Sequence, residues 1–237
     1  MPYMSGSWVL VILILISSLP VIAVYIWFRA AKYQFSLVRF LFTLLAGAAA
    51  FFPALILQDL LSFSFAAPRG RAALFYHFFI QIAFAEELSR LLLLFIFFWI
   101  SSRLKPPAGS GQLSYNMVKI GTATGLVAGL GFAILENAVY AASDSGVLFL
   151  RVFTAAPLHG ACGSRVGAAA VMLRSNPIQA AFRIITAIAI HGVYNIMVTG
   201  PGIPSIAAVL IAASALATAI LTIRGGWVSD ENLRYGS

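Results

Sequence analysis

Charge is what this sequence has least of. Only 9% of its 237 residues are charged and 61% are hydrophobic, giving a mean hydropathy of +0.96. No soluble domain of this size needs that much apolar surface, so a water-soluble globular fold is excluded and a polytopic helical membrane protein is indicated. Acidic residues are scarcest, seven against fifteen Lys and Arg. The resulting net charge of +8 does not mark a nucleic-acid partner, because the basic residues cluster between hydrophobic runs instead of forming a patch on a soluble face. Cysteine occurs once, at Cys162, which excludes an intrachain disulfide and says nothing of the redox compartment. No basic residue precedes the first apolar run, Ser7 to Phe28, and the run is too long for a signal-peptide core, so it is expected to be a true span. Soluble domains and internal repeats are likewise missing.

Seven runs are long enough to cross a bilayer: 7–28, 37–60, 72–101, 117–142, 147–173, 178–199 and 203–223. The expected fold is therefore an all-α bundle of about seven transmembrane helices, a single integral domain over residues 1–237 with its functional core within 72–199. Short breaker-rich connections separate the runs, among them Pro68 to Arg71, Lys105 to Gly111, Ser175 to Pro177 and Gly200 to Gly202. The tail from Gly225 to Ser237 reads as short and polar. One set of span ends holds Arg29, Lys32, Arg39, Arg103, Lys105, Lys119, Arg174, Arg183, Arg224 and Arg234, ten in all. The other holds Arg69 and Arg71, with Arg151 just inside the fifth span. The richer set belongs in the cytoplasm, which puts the N-terminus outside and the C-terminus inside. Trp8, Trp27 and Trp99 fall near span ends, where an interfacial belt would sit.

Against this apolar background, the few ionisable groups inside spans carry the information. Glu86 and Glu87 stand side by side in the run from Ala72 to Ile100, whose remaining charge is Arg90. A carboxylate in lipid costs roughly 2.5–3.5 kcal/mol on insertion scales, so an adjacent pair points to chemistry or transport. Arg90 lies at i+4 from Glu86 and i+3 from Glu87, so on a helix it can hold one carboxylate and leave the other free. The fourth run carries Gly121, Gly125, Gly129 and Gly131, a small-residue face for close helix approach, and then Glu136, Asn137 and Tyr140. Asn137 and Tyr140 are placed to orient the Glu136 carboxylate. The fifth run contains His159 in a Gly-rich segment, and the sixth contains His191 and Asn195, which share a helix face.

Counting from the cytoplasmic span ends at 1.5 Å per residue puts Glu86, Glu136, His159 and His191 at roughly 22, 26, 22 and 20 Å depth in a core about 30 Å thick. Four runs thus expect their polar groups in one layer, in the outer half of the membrane. Two water-activating mechanisms suit that layer. A Glu can deprotonate water while His and Asn donors stabilise an oxyanion. Alternatively, His159, His191 and a Glu, Glu136 being one candidate, can hold a metal such as zinc while another Glu acts as base. Each group comes from a different helix and there is no local His-x-x-x-His pair, so spacing does not choose between them.

In this order, Glu86-Glu87 with Arg90, Gly131-Phe132-x-x-x-Glu136-Asn137, His159, and His191 with Asn195 resemble the signature of the PrsW-type intramembrane proteases. That family is similar in plan to the CAAX prenyl endopeptidases and the bacteriocin-processing CPBP proteins. The resemblance covers residues 83 to 195. Position 155 is Ala where the CPBP pattern has Phe, whereas His191-x-x-x-Asn195 fits that pattern closely. The resemblance implies cleavage of a membrane-anchored substrate near the extracytoplasmic face, as PrsW-type proteases do to anti-sigma factors, in a prokaryotic plasma membrane. It leaves a metal mechanism and a glutamate base both open.

The expected function is therefore an intramembrane endopeptidase with Glu86, Glu87, Glu136, His159 and His191 activating water, Arg90 setting the charge of the Glu pair and Asn195 helping to hold the oxyanion. A proton- or cation-coupled transporter is the alternative from another class, with no inverted repeat to support it, and a catalytically silent scaffold is another. Four further residues read as structural. His77 is expected at the interface, Cys162 in packing, Asp59 capping the outer end of the second span, and Arg165 pairing with Glu87 or snorkelling. Phe95, Phe97 and Phe98 read as lipid-facing or bundle-packing surface.

Overall fold

The computed structural model describes residues 6–33, 35–63, 70–104, 115–143, 150–199 and 205–235, among which there is no strand. In hydrocarbon every backbone N–H and C=O must be satisfied within its own segment, so long apolar runs fold as helices. In chain order these are α1 (Gly6–Ser17), α2 (Leu19–Ala30), α3 (Leu37–Ala49), α4 (Phe51–Phe63), α5 (Arg71–Phe75), a π-helical segment (Tyr76–Phe84), α6 (Ala85–Leu104), α7 (Tyr115–Ser143), α8 (Ala155–Met172), α9 (Pro177–Thr199) and α10 (Ser205–Tyr235). The connections around Arg69, Lys105 to Gly111 and Gly200 to Gly202 lie outside the described residues, as do 147–149 and the side chains of Trp8, Arg103 and Arg234. Among the described residues, four helices are long and apolar enough to cross a membrane: Leu37–Ser62, Met117–Ala141, Pro177–Thr199 and Ile206–Gly225. The protein is an integral membrane protein. Its outer surface matches, with Leu15, Ile26, Leu45, Ile56, Phe182 and Leu210 all exposed.

The centre is a pair of small-residue helices, α7 and α8. Within α8 only Pro157, Arg165 and Val171 are not buried. Gly121, Gly125 and Gly129 repeat every four residues and form one seam along α7, facing the backbone of α8 at Gly167, Gly163 and His159. A Cβ on Gly129 would collide with the His159 carbonyl oxygen, so the two backbones touch directly where the seam reaches the polar layer. Gly131 is not part of that seam. Two residues on, it is rotated about 200° and faces the Leu44 carbonyl of α3.

The expected runs 7–28 and 37–60 are divided at Ser18 and Ala50, and two further boundaries shift. The fifth run is not one helix over 147–173: residues 150–153 are helical, Thr154 is non-helical (φ −122°, ψ −60°), and α8 starts at Ala155. Pro157 is the reason, since a proline ring clashes with the carbonyl four residues earlier and is tolerated only in the first turn. The break is braced by the Tyr194 hydroxyl, which donates to Thr154 Oγ1 at 2.9 Å. At the C-terminus, α10 runs to Tyr235 instead of stopping at 223, because glycine at 225 and 226 lowers helix propensity without removing an N–H.

Candidate active site

The first turn of α6, the C-terminal third of α7, the second turn of α8 and the middle of α9 meet, and each brings a polar group chosen from the sequence. Glu86, Glu87, Arg90, His159 and His191 are at most 2% exposed and Glu136 is 8% exposed, so their interactions act in a nearly water-free setting. The π-helical segment runs directly into the Glu pair; such widened turns recur at functional sites.

Arg90 divides the two neighbouring carboxylates as its spacing suggested. Its Nη2 donates to Glu87 Oε1 at 2.6 Å and stands 3.5 Å from Glu86 Oε2. Nη1 donates to the His159 carbonyl at 3.3 Å, tying α6 to α8, and the guanidinium lies over the Phe132 ring at 4.7 Å.

Each imidazole is held by one carboxylate. His191 Nδ1 lies 2.8 Å from Glu87 Oε1, and His159 Nε2 lies 2.6 Å from Glu136 Oε2. An ionised carboxylate only accepts, so these nitrogens carry the hydrogens and donate. In neutral rings the lone pairs are then left on His191 Nε2 and His159 Nδ1. Both of those atoms face one oxygen, Glu86 Oε2, at 3.7 and 3.9 Å. His159 Nδ1 has no hydrogen-bond partner among the described residues although it is buried.

Ligand atoms of Glu86, His159 and His191 all lie within 4.8 Å of one another. Around a tetrahedral ion with bonds of about 2.0–2.1 Å, ligand atoms sit roughly 3.3–3.4 Å apart, so a contraction of up to about 1.4 Å brings this trio to metal-binding geometry. Two imidazoles and a carboxylate are also the donor types that zinc and similar ions take. The residues present therefore fit a metal. Glu136 is not in the trio, because its Oε2 is used by His159 and by Arg151.

Arg151 is the residue sequence reasoning missed. It enters because the break at Thr154 swings residues 150–153 against α7. Its Nη2 lies 2.5 Å from Glu136 Oε2, its Nε donates to Asn137 Oδ1 at 3.0 Å, and it stacks over Tyr140 at 3.9 Å. Asn137 and Tyr140 thus touch the cation that holds Glu136, not the carboxylate itself. Gln58 of α4 was missed too: its Nε2 donates to Glu86 Oε1 at 3.1 Å, which leaves Oε2 toward the imidazoles. A half-buried amide donor opposite a carboxylate leaves no local sequence signal.

The Asn195 side chain, half-buried one turn from His191, makes no hydrogen bond among the described residues. Arg165 does not pair with Glu87; it donates to the Ala161 and Ala215 carbonyls and to Thr218 Oγ1. Asp59 caps no helix end: it lies exposed within α4, where its carbonyl accepts from Ser62 Oγ at 2.6 Å. Cys162 is a buried packing residue with Sγ 3.5 Å from the Ala187 carbonyl. His77 is exposed, 2.8 Å from Gln81 Oε1, and Phe95, Phe97 and Phe98 are half-buried.

A family model described as PrsW family intramembrane metalloprotease matches residues 36–222. Neither the curated proteins nor the solved structures give a significant match.

Proposed function

Since the chain belongs to the PrsW family of intramembrane metalloproteases, and is by that membership a membrane peptidase, we propose that Glu86, His159 and His191 form its water-activating centre. The observation that carries this reading is the convergence of two imidazole lone pairs on Glu86 Oε2, each imidazole fixed from behind by its own carboxylate. Those three residues would hold a zinc-like ion, which when bound lowers the pKa of its water to about 7 and polarises a carbonyl. Glu87 and Glu136 set the tautomers and orientation of the rings, and Arg90 and Arg151 keep those two carboxylates ionised and in place. Gln58 turns the Glu86 carboxylate toward the rings. Asn195 stands on the His191 helix, where a donor can meet a developing oxyanion.

Glu86 is also the carboxylate that Arg90 holds less tightly, 3.5 Å against 2.6 Å, which favours a second reading in which it takes the proton from water itself. The substrate proposed is a single-pass or lipid-anchored protein of the anti-sigma-factor kind, unwound so that its peptide bond reaches the buried layer. The proposed topology is seven spans with the N-terminus outside, supported by the Lys and Arg distribution, with one integral domain and its functional core within 72–199, in a prokaryotic plasma membrane.

Cleavage of a tagged single-pass substrate by purified protein, with and without a tight zinc chelator, tests this. Activity lost with the chelator and restored by zinc, alongside metal bound by wild type and not by His191→Ala, is the expected result. Activity that survives chelation but disappears in Glu86→Gln and His191→Ala would establish the glutamate base. Equal cleavage by wild type and both variants would end the protease site proposed for this layer. Arg151→Gln is expected to lower cleavage about 10–100-fold, the usual effect of losing a group that positions a ligand. Glu136→Gln combined with it should be little worse than either alone, because both act on one ring. Additive losses in that double-mutant cycle would show that they act separately.

A further inference from the structure

Away from the carboxylate layer, α7, α8, α9 and α10 border a polar recess of about 100 Å³, lined by Thr122, Ser164, Arg165, Arg183, Thr218, Ala219 and Thr222. It has room for one small anion. Arg165 is six residues beyond His159 on α8 and Arg183 eight residues before His191 on α9, so the cavity lies roughly 9–12 Å along the helices from the imidazoles, toward Arg174. No carboxylate lines it. The four hydroxyls donate to backbone carbonyls of their own helices: Thr122 to Val118, Ser164 to Ala161, Thr218 to Ala215 and Thr222 to Thr218. They therefore neutralise no charge.

Of the two cations, Arg165 is braced by the Ala161 and Ala215 carbonyls and Thr218 Oγ1, whereas the half-buried Arg183 makes no hydrogen bond or ion pair among the described residues. Two guanidinium groups facing one recess inside an apolar bundle, without a counter-charge, repel one another and are poorly solvated. Guanidinium forks match the oxygens of a phosphate, and basic recesses between transmembrane helices on the positively charged side accept phosphate head groups. We propose that this cavity binds a phosphate monoanion, that of an anionic phospholipid whose acyl chains lie along α9 and α10. The mouth is suitably placed for a lipid, since Thr218 is exposed and is flanked by the exposed apolar surface of Phe182 on α9 and Leu221 on α10.

The test is native mass spectrometry of the full-length protein in detergent, titrated separately with phosphatidylglycerol, phosphatidylcholine and inorganic phosphate, for wild type, Arg165→Gln and Arg183→Gln. Wild type should retain phosphatidylglycerol at least about tenfold more strongly than phosphatidylcholine, and each variant should lose most of that preference. Displacement of the lipid by inorganic phosphate, or phosphate binding of equal strength, would support the anion site and identify free phosphate as a competing source. If Arg165→Gln does not accumulate, Arg183→Gln decides, since its side chain braces no other helix. Equal retention of the two lipids without phosphate binding, or an Arg183→Gln variant that binds as wild type does, overturns the proposal.

Discussion

Glu86→Gln is expected to reduce substrate cleavage by roughly 10²–10⁴-fold while the protein accumulates in the membrane at the wild-type level. The substitution conserves shape, and its amide oxygen can still accept from Gln58 Nε2 where Glu86 Oε1 now does at 3.1 Å. What changes is the atom facing the rings. An NH₂ in place of Oε2 would donate toward His191 Nε2 and His159 Nδ1, which now stand 3.7 and 3.9 Å away. The folded site would keep its packing and even gain partners for those nitrogens, yet it could neither hold a cation among the three residues nor take a proton from water. The measurement is initial cleavage rate of a single-pass substrate together with protein level and unfolding midpoint. A rate within twofold of wild type at normal abundance would remove Glu86 from the chemistry, whichever mechanism applies.

A large structural effect is expected at Gly129. A Cβ there collides with the His159 carbonyl oxygen, which is backbone and which also accepts from Arg90 at 3.3 Å. Gly129→Ala must therefore push α7 and α8 apart at the level of the site, and the cost should reach or exceed the roughly 1–3 kcal/mol usual for overpacking. Gly160→Ala is the control. Its Cβ would meet Leu126 Cδ1 at 2.9 Å and Leu130 Cδ2 at 3.4 Å, ends of flexible side chains that can move. We expect Gly160→Ala to unfold within a few degrees of wild type in detergent and Gly129→Ala to accumulate poorly and lose activity. If the two variants are equally stable, the direct backbone contact between α7 and α8 is not what fixes His159.

The residues legible in the sequence were those whose meaning is local. Glu86, Glu87 and Arg90 share one helical turn, so their mutual pairing follows from helix geometry alone. Gly121, Gly125 and Gly129 repeat at helical spacing, so a seam could be read, although assigning Gly131 to it ignored the 200° rotation. The Arg151–Glu136 pair could not be seen, because it depends on how the break at Thr154 aims a short helical stretch at α7. The break itself was open to reading from Pro157, whose ring clashes with the carbonyl of residue 153 and kinks or breaks a helix there.

By itself, then, the sequence determined a membrane-embedded helical protein and the expectation that Glu86, Glu136, His159 and His191 share one layer, because hydrophobic run length and residue counting along a helix are one-dimensional quantities. The tertiary structure alone decided which oxygen faces which nitrogen: Gln58 behind Glu86, Glu87 behind His191, Glu136 and Arg151 behind His159. Those choices depend on the rotation of each helix about its axis and on backbone contact at the α7–α8 seam. Rotation is set by packing against neighbouring helices, which the order of residues along any one of them does not contain.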